Sequence, residues 1–278
     1  MRRESCQANI VAGWSKATFV GLALLLAACS RGGAAWRQAD APSPPNPEES
    51  GYLRPPLVLD SQRGADGAVT LSGRSAPQVR VRFSGPPPTG AAYGATADDK
   101  GNWSVATPLA SEVRLFGVAE ELVGRDVLGE GYVAVLPSPG PGGAILRAGG
   151  GAAVLARPAG MRIAAVDYDS SGAAVVSGFA KPGATARLFI DGTPVGEARA
   201  NDRGRFSVSL SAGLKPGDHE ARVESGDQSA AAKFSVDPPR PVSGLPYRGE
   251  RTPVGWRVDW LTPGGGEQTT LILDTAES

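Results

Sequence analysis

Cysteine is almost absent from this chain: Cys6 and Cys29 are the only two among 278 residues. One remains if the chain is cut before Cys29, which leaves no disulfide and no cysteine-built zinc site. An exported chain of that kind must hold together by burying a core. Histidine is limited to His219. Any Ser-His-Asp triad would have to use it, and no Gly-x-Ser-x-Gly nucleophile motif accompanies it. An excess of charge of one sign is also missing, since 28 Lys and Arg balance 28 Asp and Glu. Removing residues 1–28 leaves 25 basic against 27 acidic residues, which gives no electrostatic case for nucleic acid. Long helical periodicities are lacking, while 38 Gly and 24 Pro punctuate the chain. Many short strands joined by tight turns follow, so the expected fold class is all-β.

No apolar stretch reaches the 18 residues expected of a membrane-spanning helix. The uncharged run of residues 17–28 carries Leu22, Leu24, Leu25 and Leu26 behind the positive Arg2, Arg3 and Lys16. As a helix its ~12 residues span ~18 Å, against about 30 Å of bilayer hydrocarbon. That length suits the apolar region of a signal peptide. The run closes on Leu26-Ala27-Ala28-Cys29, a tetrapeptide that resembles the lipobox of bacterial lipoproteins. The resemblance implies diacylglycerol joined to the Cys29 thiol, cleavage before Cys29, and a fatty acyl chain such as palmitate on the new amino group. The alternative is an ordinary secretory signal with a chance cysteine. In the enteric sorting rule an Asp after the lipidated residue retains a lipoprotein in the inner membrane. Ser30 therefore favours the outer membrane, facing the periplasm.

Behind Cys29, residues 30–56 offer little to bury, and Ala41-Pro42-Ser43-Pro44-Pro45-Asn46-Pro47-Glu48-Glu49 favours extended, disordered chain. Residues 29–60 read as a tether.

Internal repetition follows. The segment from Leu71-Ser72-Gly73 through Ala76-Pro77-Gln78 to Val79–Phe83 matches Val176-Ser177-Gly178 through Lys181-Pro182-Gly183 to Ala184–Leu188, at an offset of 105. Ala97-Asp98-Asp99-Lys100-Gly101-Asn102-Trp103-Ser104-Val105 matches Ala200-Asn201-Asp202-Arg203-Gly204-Arg205-Phe206-Ser207-Val208 at an offset of 103. Alternating apolar residues predict half-buried strands, the Pro and Gly positions predict turns, and Trp103 and Phe206 point into cores. Asp191-Gly192 predicts a further hairpin. The string Gly178-Phe179-Ala180-Lys181-Pro182-Gly183-Ala184, then Asp191-Gly192, then Asp202-Arg203-Gly204-Arg205-Phe206, then Pro216-Gly217-Asp218-His219 resembles bacterial Ig-like β-sandwich modules. The match is good over about 161–237 and looser over about 66–137. Gln78 replaces Gly183, and the strand-like pieces at 113–118, 123–128 and 132–136 are extra. The resemblance implies fold and an extracytoplasmic setting, not a ligand.

The expected architecture is therefore a signal peptide (1–28), a tether (29–60), a first, divergent Ig-like domain (61–157), a second Ig-like sandwich (158–237) and a C-terminal β-hairpin extension (238–278). In that hairpin Trp256, Val258 and Trp260 alternate with Arg257 and Asp259.

Candidate chemistry is sparse. Tyr247, Trp256 and Trp260 could form an aromatic platform for sugar or peptide, or pack a core. Asp167-Tyr168-Asp169-Ser170-Ser171-Gly172 has a faintly calcium-like spacing, without the Glu an EF-hand loop requires, and reads equally as a turn. His219 reads as a turn residue entering a strand. Arg80 and Arg82 read as a solvated face. Gly149-Gly150-Gly151 and Gly264-Gly265-Gly266 lack the Lys-Ser/Thr of a phosphate loop. No cofactor and no metal are expected. Three functions remain: a non-enzymatic, lipid-anchored envelope protein whose Ig-like modules bind or space something; a peptidoglycan- or carbohydrate-binding accessory module; and an envelope hydrolase using a carboxylate pair. The expected partners are the membrane, through Cys29, and peptidoglycan or another envelope protein.

Overall fold

The computed structural model describes residues 53–87, 90, 92–122, 124–156 and 159–274. The signal peptide, Cys29 and most of the tether lie outside the described residues.

The first seven strands are β1 (Leu57–Arg63), β2 (Val69–Arg74), β3 (Arg80–Ser84), β4 (Ala92–Thr96), β5 (Asn102–Thr107), β6 (Arg114–Leu122) and β7 (Arg125–Val135). They form one sheet in the order β1-β2-β5 and a second containing β4-β3-β6-β7. Two short strands, β8 (Gly143–Leu146) and β9 (Ala153–Val154), extend the second sheet beyond β7. The plan then repeats. Strands β10 (Arg162–Asp169), β11 (Ala174–Phe179) and β14 (Arg205–Ser209) correspond to β1, β2 and β5. Strands β12 (Thr185–Ile190), β13 (Thr193–Arg199), β15 (Gly217–Ser225) and β16 (Gln228–Val236) form the sheet β13-β12-β15-β16. Each copy is thus an all-β, Ig-like sandwich of three strands against four. The strand-like pieces that look surplus in the first copy are β6 and β7, the counterparts of β15 and β16.

Alternation builds these strands. β3 and β5 bury every second residue, among them Val81, Phe83, Trp103 and Val105, and β12 and β14 do the same with Ala186, Leu188, Phe206 and Val208. In each copy the aromatic of the fifth strand lies over a glycine of the second. A Cβ on Gly73 would sit 2.3 Å from Trp103, and one on Gly178 would sit 2.7 Å from Phe206. Opposite those glycines the first strand of each copy bulges, between Val58 and Asp60 and between Ile163 and Ala165. The fall in repeat offset from 105 to 103 has a location. Arg80 pairs with Thr96 and Thr185 with Arg199, so the two residues are lost inside the hairpin between third and fourth strands. In the second copy that hairpin is the tight Asp191-Gly192 turn, with φ of 50° and 78°. Gln78 takes the left-handed conformation of its counterpart Gly183, φ 60° against 75°, so the departure in sequence is none in backbone shape.

The C-terminal segment supplies β17 (Tyr247–Thr252), β18 (Gly255–Leu261) and β19 (Glu267–Leu273). It is not appended to the second sandwich but built into it. β19 pairs with β10, giving a six-stranded sheet in the order β14-β11-β10-β19-β18-β17. Two cores are the sandwich interiors: Leu71, Val81, Phe83, Trp103 and Phe116 in the first, and Val166, Val176, Leu188, Phe206 and Val223 in the second. A third core joins Leu115, Leu136 and Leu146 of the first copy to Ala165, Val258, Trp260 and Ile272 of the second sheet system. The two six-stranded sheets therefore pack face to face, and the described residues form four β-layers with three cores.

Candidate functional site

A concave space of about 820 Å³ lies where β17 crosses the beginning of β6. Its ionisable and aromatic lining comprises Glu112, Arg114, Phe116, Tyr247, Arg248, Arg251 and Trp256. Alternation on β17 turns Tyr247, Gly249 and Arg251 toward the first sandwich. Tyr247 packs on the shared core, and the Arg251 guanidinium lies 5.7 Å from the centre of the Trp256 ring. Gly249 has no room for a side chain, since a Cβ there would stand 2.3 Å from Val113. Trp256 Nε1 donates to Pro139 O at 2.9 Å. The Arg114 guanidinium donates to the Tyr93 hydroxyl at 3.3 Å. Arg251 pairs with Asp274, while Glu250 is shared between Arg240 and Arg248. The cleft is thus weakly positive.

The structure puts the three aromatics that the sequence offered as a platform on one face, Tyr247 opposite Trp260, but turns that face into the shared core. Trp260 is 1% exposed and Trp256 8%. Trp260 donates its Nε1–H to Thr270 Oγ1 at 3.1 Å and meets Tyr132 edge to face, with ring centres 5.8 Å apart. A ring enclosed in this way offers no open face for a sugar to stack on, so the platform is not formed. Tyr247 is half-buried, and it and Trp256 reach only the wall of the cleft. Arg114, Arg248 and Arg251 were not singled out from sequence. No spacing links Arg114 to a strand more than a hundred residues later, and packing of the layers alone brings them together.

The remaining candidates serve the fold. Asp169 Oδ1 accepts hydrogen bonds from Ser171 N (2.8 Å), Ser171 Oγ (2.6 Å) and Ala173 N (3.1 Å), which makes its loop an Asx turn. Among the described residues no three His, Cys, Asp or Glu side chains converge to hold a metal ion. Asp98 and its counterpart Asn201 cap the two repeated turns, each accepting from backbone N–H groups two and four residues on. Arg82 pairs with Asp126 at 2.6 Å, both side chains being about half exposed. His219 presents Nδ1 to Asp191 Oδ2 at 2.7 Å and Nε2 to Lys215 O at 2.8 Å. Both neighbours are acceptors, so the pair suits the imidazolium. Burial works to lower the His219 pKa, but the Lys215 carbonyl and Asp191 together outweigh it and raise it. This is a tie across the second sandwich's turns, with no nucleophile within it.

Among the described residues two carboxyl groups have raised pKa values. Glu120 is buried in the first sandwich, where loss of solvent pushes its pKa up against a hydrogen bond from Ala76 N. Asp167 lies in the shared core, where burial pushes its pKa up to about 6. Thr270 Oγ1 (2.6 Å), Ala152 N (2.7 Å) and Gln268 Nε2 (3.4 Å) all donate to Asp167 and work against that rise. The two acids share no hydrogen-bond partner, so they do not form an acid–base pair. Asp167 instead joins the β8–β9 extension to β19. Its folded pKa lies above the ordinary value of about 3.9. The associated stabilisation is therefore complete below about pH 4 and lost as pH rises through about 6. Urea midpoints of the parent chain are expected to fall across that window, and Asp167→Asn is expected to remove the fall. A parent–variant difference constant with pH would refute this.

No family model matches the chain, and no curated relative was found for it. Among solved structures it is similar to the BSP domain of a biofilm associated protein, at 13% identity and TM-score 0.24, over 66% of this chain and 29% of that one. It is similar to a central fibronectin-III array of RIM-binding protein, at 12% identity and TM-score 0.25, over 79% and 89%. It is also similar to a Ca2+-stabilized adhesin of an ice-binding Antarctic bacterium, at 15% identity and TM-score 0.20, over 75% and 61%. The chain thus spans less than a third of the first of these. The fold and the cleft define the class: an all-β protein of two fused Ig-like sandwiches.

Proposed function

We propose that the chain is a non-enzymatic, lipid-anchored protein of the cell envelope whose paired sandwiches hold a binding cleft away from the membrane. The observation that carries this reading is the order of parts: an acylatable Cys29 closing an apolar run, a proline-rich tether, then a layered body that holds the arginine-lined cleft. Lipid chains contribute roughly 0.8 kcal/mol per buried CH₂, so two or more hold a protein where one does not. Ser30 favours the outer membrane, with the body in the periplasm. A tether of about 30 residues, extended at ~3.1 Å each, gives the body a reach of several tens of Å. Cys29→Ser is expected to abolish incorporation of labelled palmitate and of the diacylglyceryl group, read by intact mass. Unchanged labelling would refute the anchor.

A second reading is a peptidoglycan-binding module. The weakly positive cleft favours it, because wall polymers carry carboxylates, while the burial of Trp256 and Trp260 weighs against sugar stacking. Co-sedimentation with purified sacculi tests it, and crosslinking in intact cells identifies the partner.

A further inference from the structure

Resting on the reading of the cleft as the binding region, we infer that β17 is a strand-addition site for an extended, acidic peptide segment of a partner protein. β17 is the edge of its six-stranded sheet. Leu261 N donates to Pro246 O at 2.9 Å, which marks 246 and 261 as a hydrogen-bonded pair. Such pairs alternate along an antiparallel ladder. With Arg248 opposite Asp259, Glu250 opposite Arg257 and Thr252 opposite Gly255, residues 248, 250 and 252 spend their backbone groups on β18. The N–H and C=O groups of Tyr247, Gly249 and Arg251 then point away from the sheet, along the cleft.

Three features favour an incoming strand. Gly249 is exposed and carries no side chain to overhang the strand edge, a Cβ there being excluded by Val113 at 2.3 Å. The side chains flanking it, Tyr247 and Arg251, face the cleft, so residues of an added strand opposite them project into the same space beside Arg114. Charge selects the partner. Among the described residues Arg114 makes no ion pair and donates only to the Tyr93 hydroxyl, Glu112 is the one carboxylate lining the cleft, and Glu250 must serve both Arg240 and Arg248, so carboxylates on the added strand complete the balance. Main-chain pairing supplies attraction and the alternate side chains supply selectivity, the usual division of labour in strand addition. The charges on β17 also discourage pairing with another copy of itself.

The test uses the mature lipidated chain in detergent and a blocked peptide, acetyl-Thr-Glu-Val-Glu-Val-Glu-Thr-amide, with carbon-13 in its backbone carbonyls. Binding is expected to shift the labelled amide band to the frequency of paired strand and to weaken with salt. N-methylation of alternate peptide amides, and separately replacement of Glu by Lys, are each expected to weaken binding about tenfold or more, roughly 1.4 kcal/mol per decade. These changes leave the protein untouched. Arg114→Glu, at the cleft residue beside which the added side chains project, is expected to weaken binding of the acidic peptide and improve that of the Lys peptide. The inference is overturned if the acidic peptide fails to bind at millimolar concentration, if the N-methylated peptide binds equally well, or if oligogalacturonate binds and the peptide does not. Sacculus binding without peptide binding would overturn it while leaving the envelope reading standing.

Discussion

Asp259→Ala is expected to destabilise the folded body by about 3–5 kcal/mol, the cost of leaving a buried charge without its partner. Arg257 is 2% exposed and Asp259 3%. They lie two apart on β18 and share a face. The Arg257 guanidinium reaches both carboxylate oxygens, with Nε at 3.1 and 3.0 Å and Nη2 at 2.9 Å. Its Nη2 also donates to Pro238 O at 2.9 Å, and Nη1 lies 3.4 Å from Asp237. Thr269 Oγ1 donates to Asp259 at 2.5 Å. Burial alone would lower the Arg257 pKa, but Asp259, with Tyr168 and Asp237, reverses that and raises it. Without Asp259 the guanidinium keeps only the solvent-facing Asp237 and one carbonyl. The midpoint of thermal unfolding should fall by on the order of 10 °C. Replacing both members by apolar residues, Arg257→Met with Asp259→Leu, should cost far less, because no charge is then stranded. A single Asp259→Ala variant as stable as the parent would show that water reaches the pair.

Trp260→Ala is expected to cost a similar ~3–5 kcal/mol, through lost burial and the cavity left behind. Its consequence differs in kind. The ring sits in the core shared by the two six-stranded sheets, against Tyr132 of β7 and bonded to Thr270 of β19. Removing it loosens the joint between sandwiches more than either interior. Calorimetry of the parent should show one transition, and that of Trp260→Ala should show two, as the halves cease to unfold together. Trp260→Phe, which keeps most of the volume, should restore a single transition. One unchanged transition in the alanine variant would show that the sandwiches are coupled elsewhere.

The repeated unit was legible because its signals are local. Turn chemistry at Asp98-Asp99-Lys100-Gly101 and Asn201-Asp202-Arg203-Gly204, alternation in β3, β5, β12 and β14, and the aromatic after each turn depend on residues a few positions apart. Even the mismatch of Gln78 with Gly183 left the shape intact, since the surrounding hairpin holds both in the left-handed region. β6 and β7 read as strand-like but surplus, because their place comes from pairing of β6 with β3 and of β7 with β6, and pairing across a distance leaves no pattern within the strand.

β18 shows the limit most plainly. Its sequence alternates tryptophan and valine with charge, which reads as one dry face and one wet face. Both faces are buried, because Arg257 and Asp259 neutralise each other and the segment after β16 covers them. The sequence by itself determined an all-β chain, its duplication, its turns and, at Cys29, the expectation of an anchor. Only the tertiary structure decided that the C-terminal strands complete the second sandwich, that a third core fuses the two copies, and that Arg114 stands beside Arg251. The physical reason is that turns and periodicity act between neighbours in the chain. Layer packing acts between surfaces whose complementarity has no period, and the cleft is made by that packing.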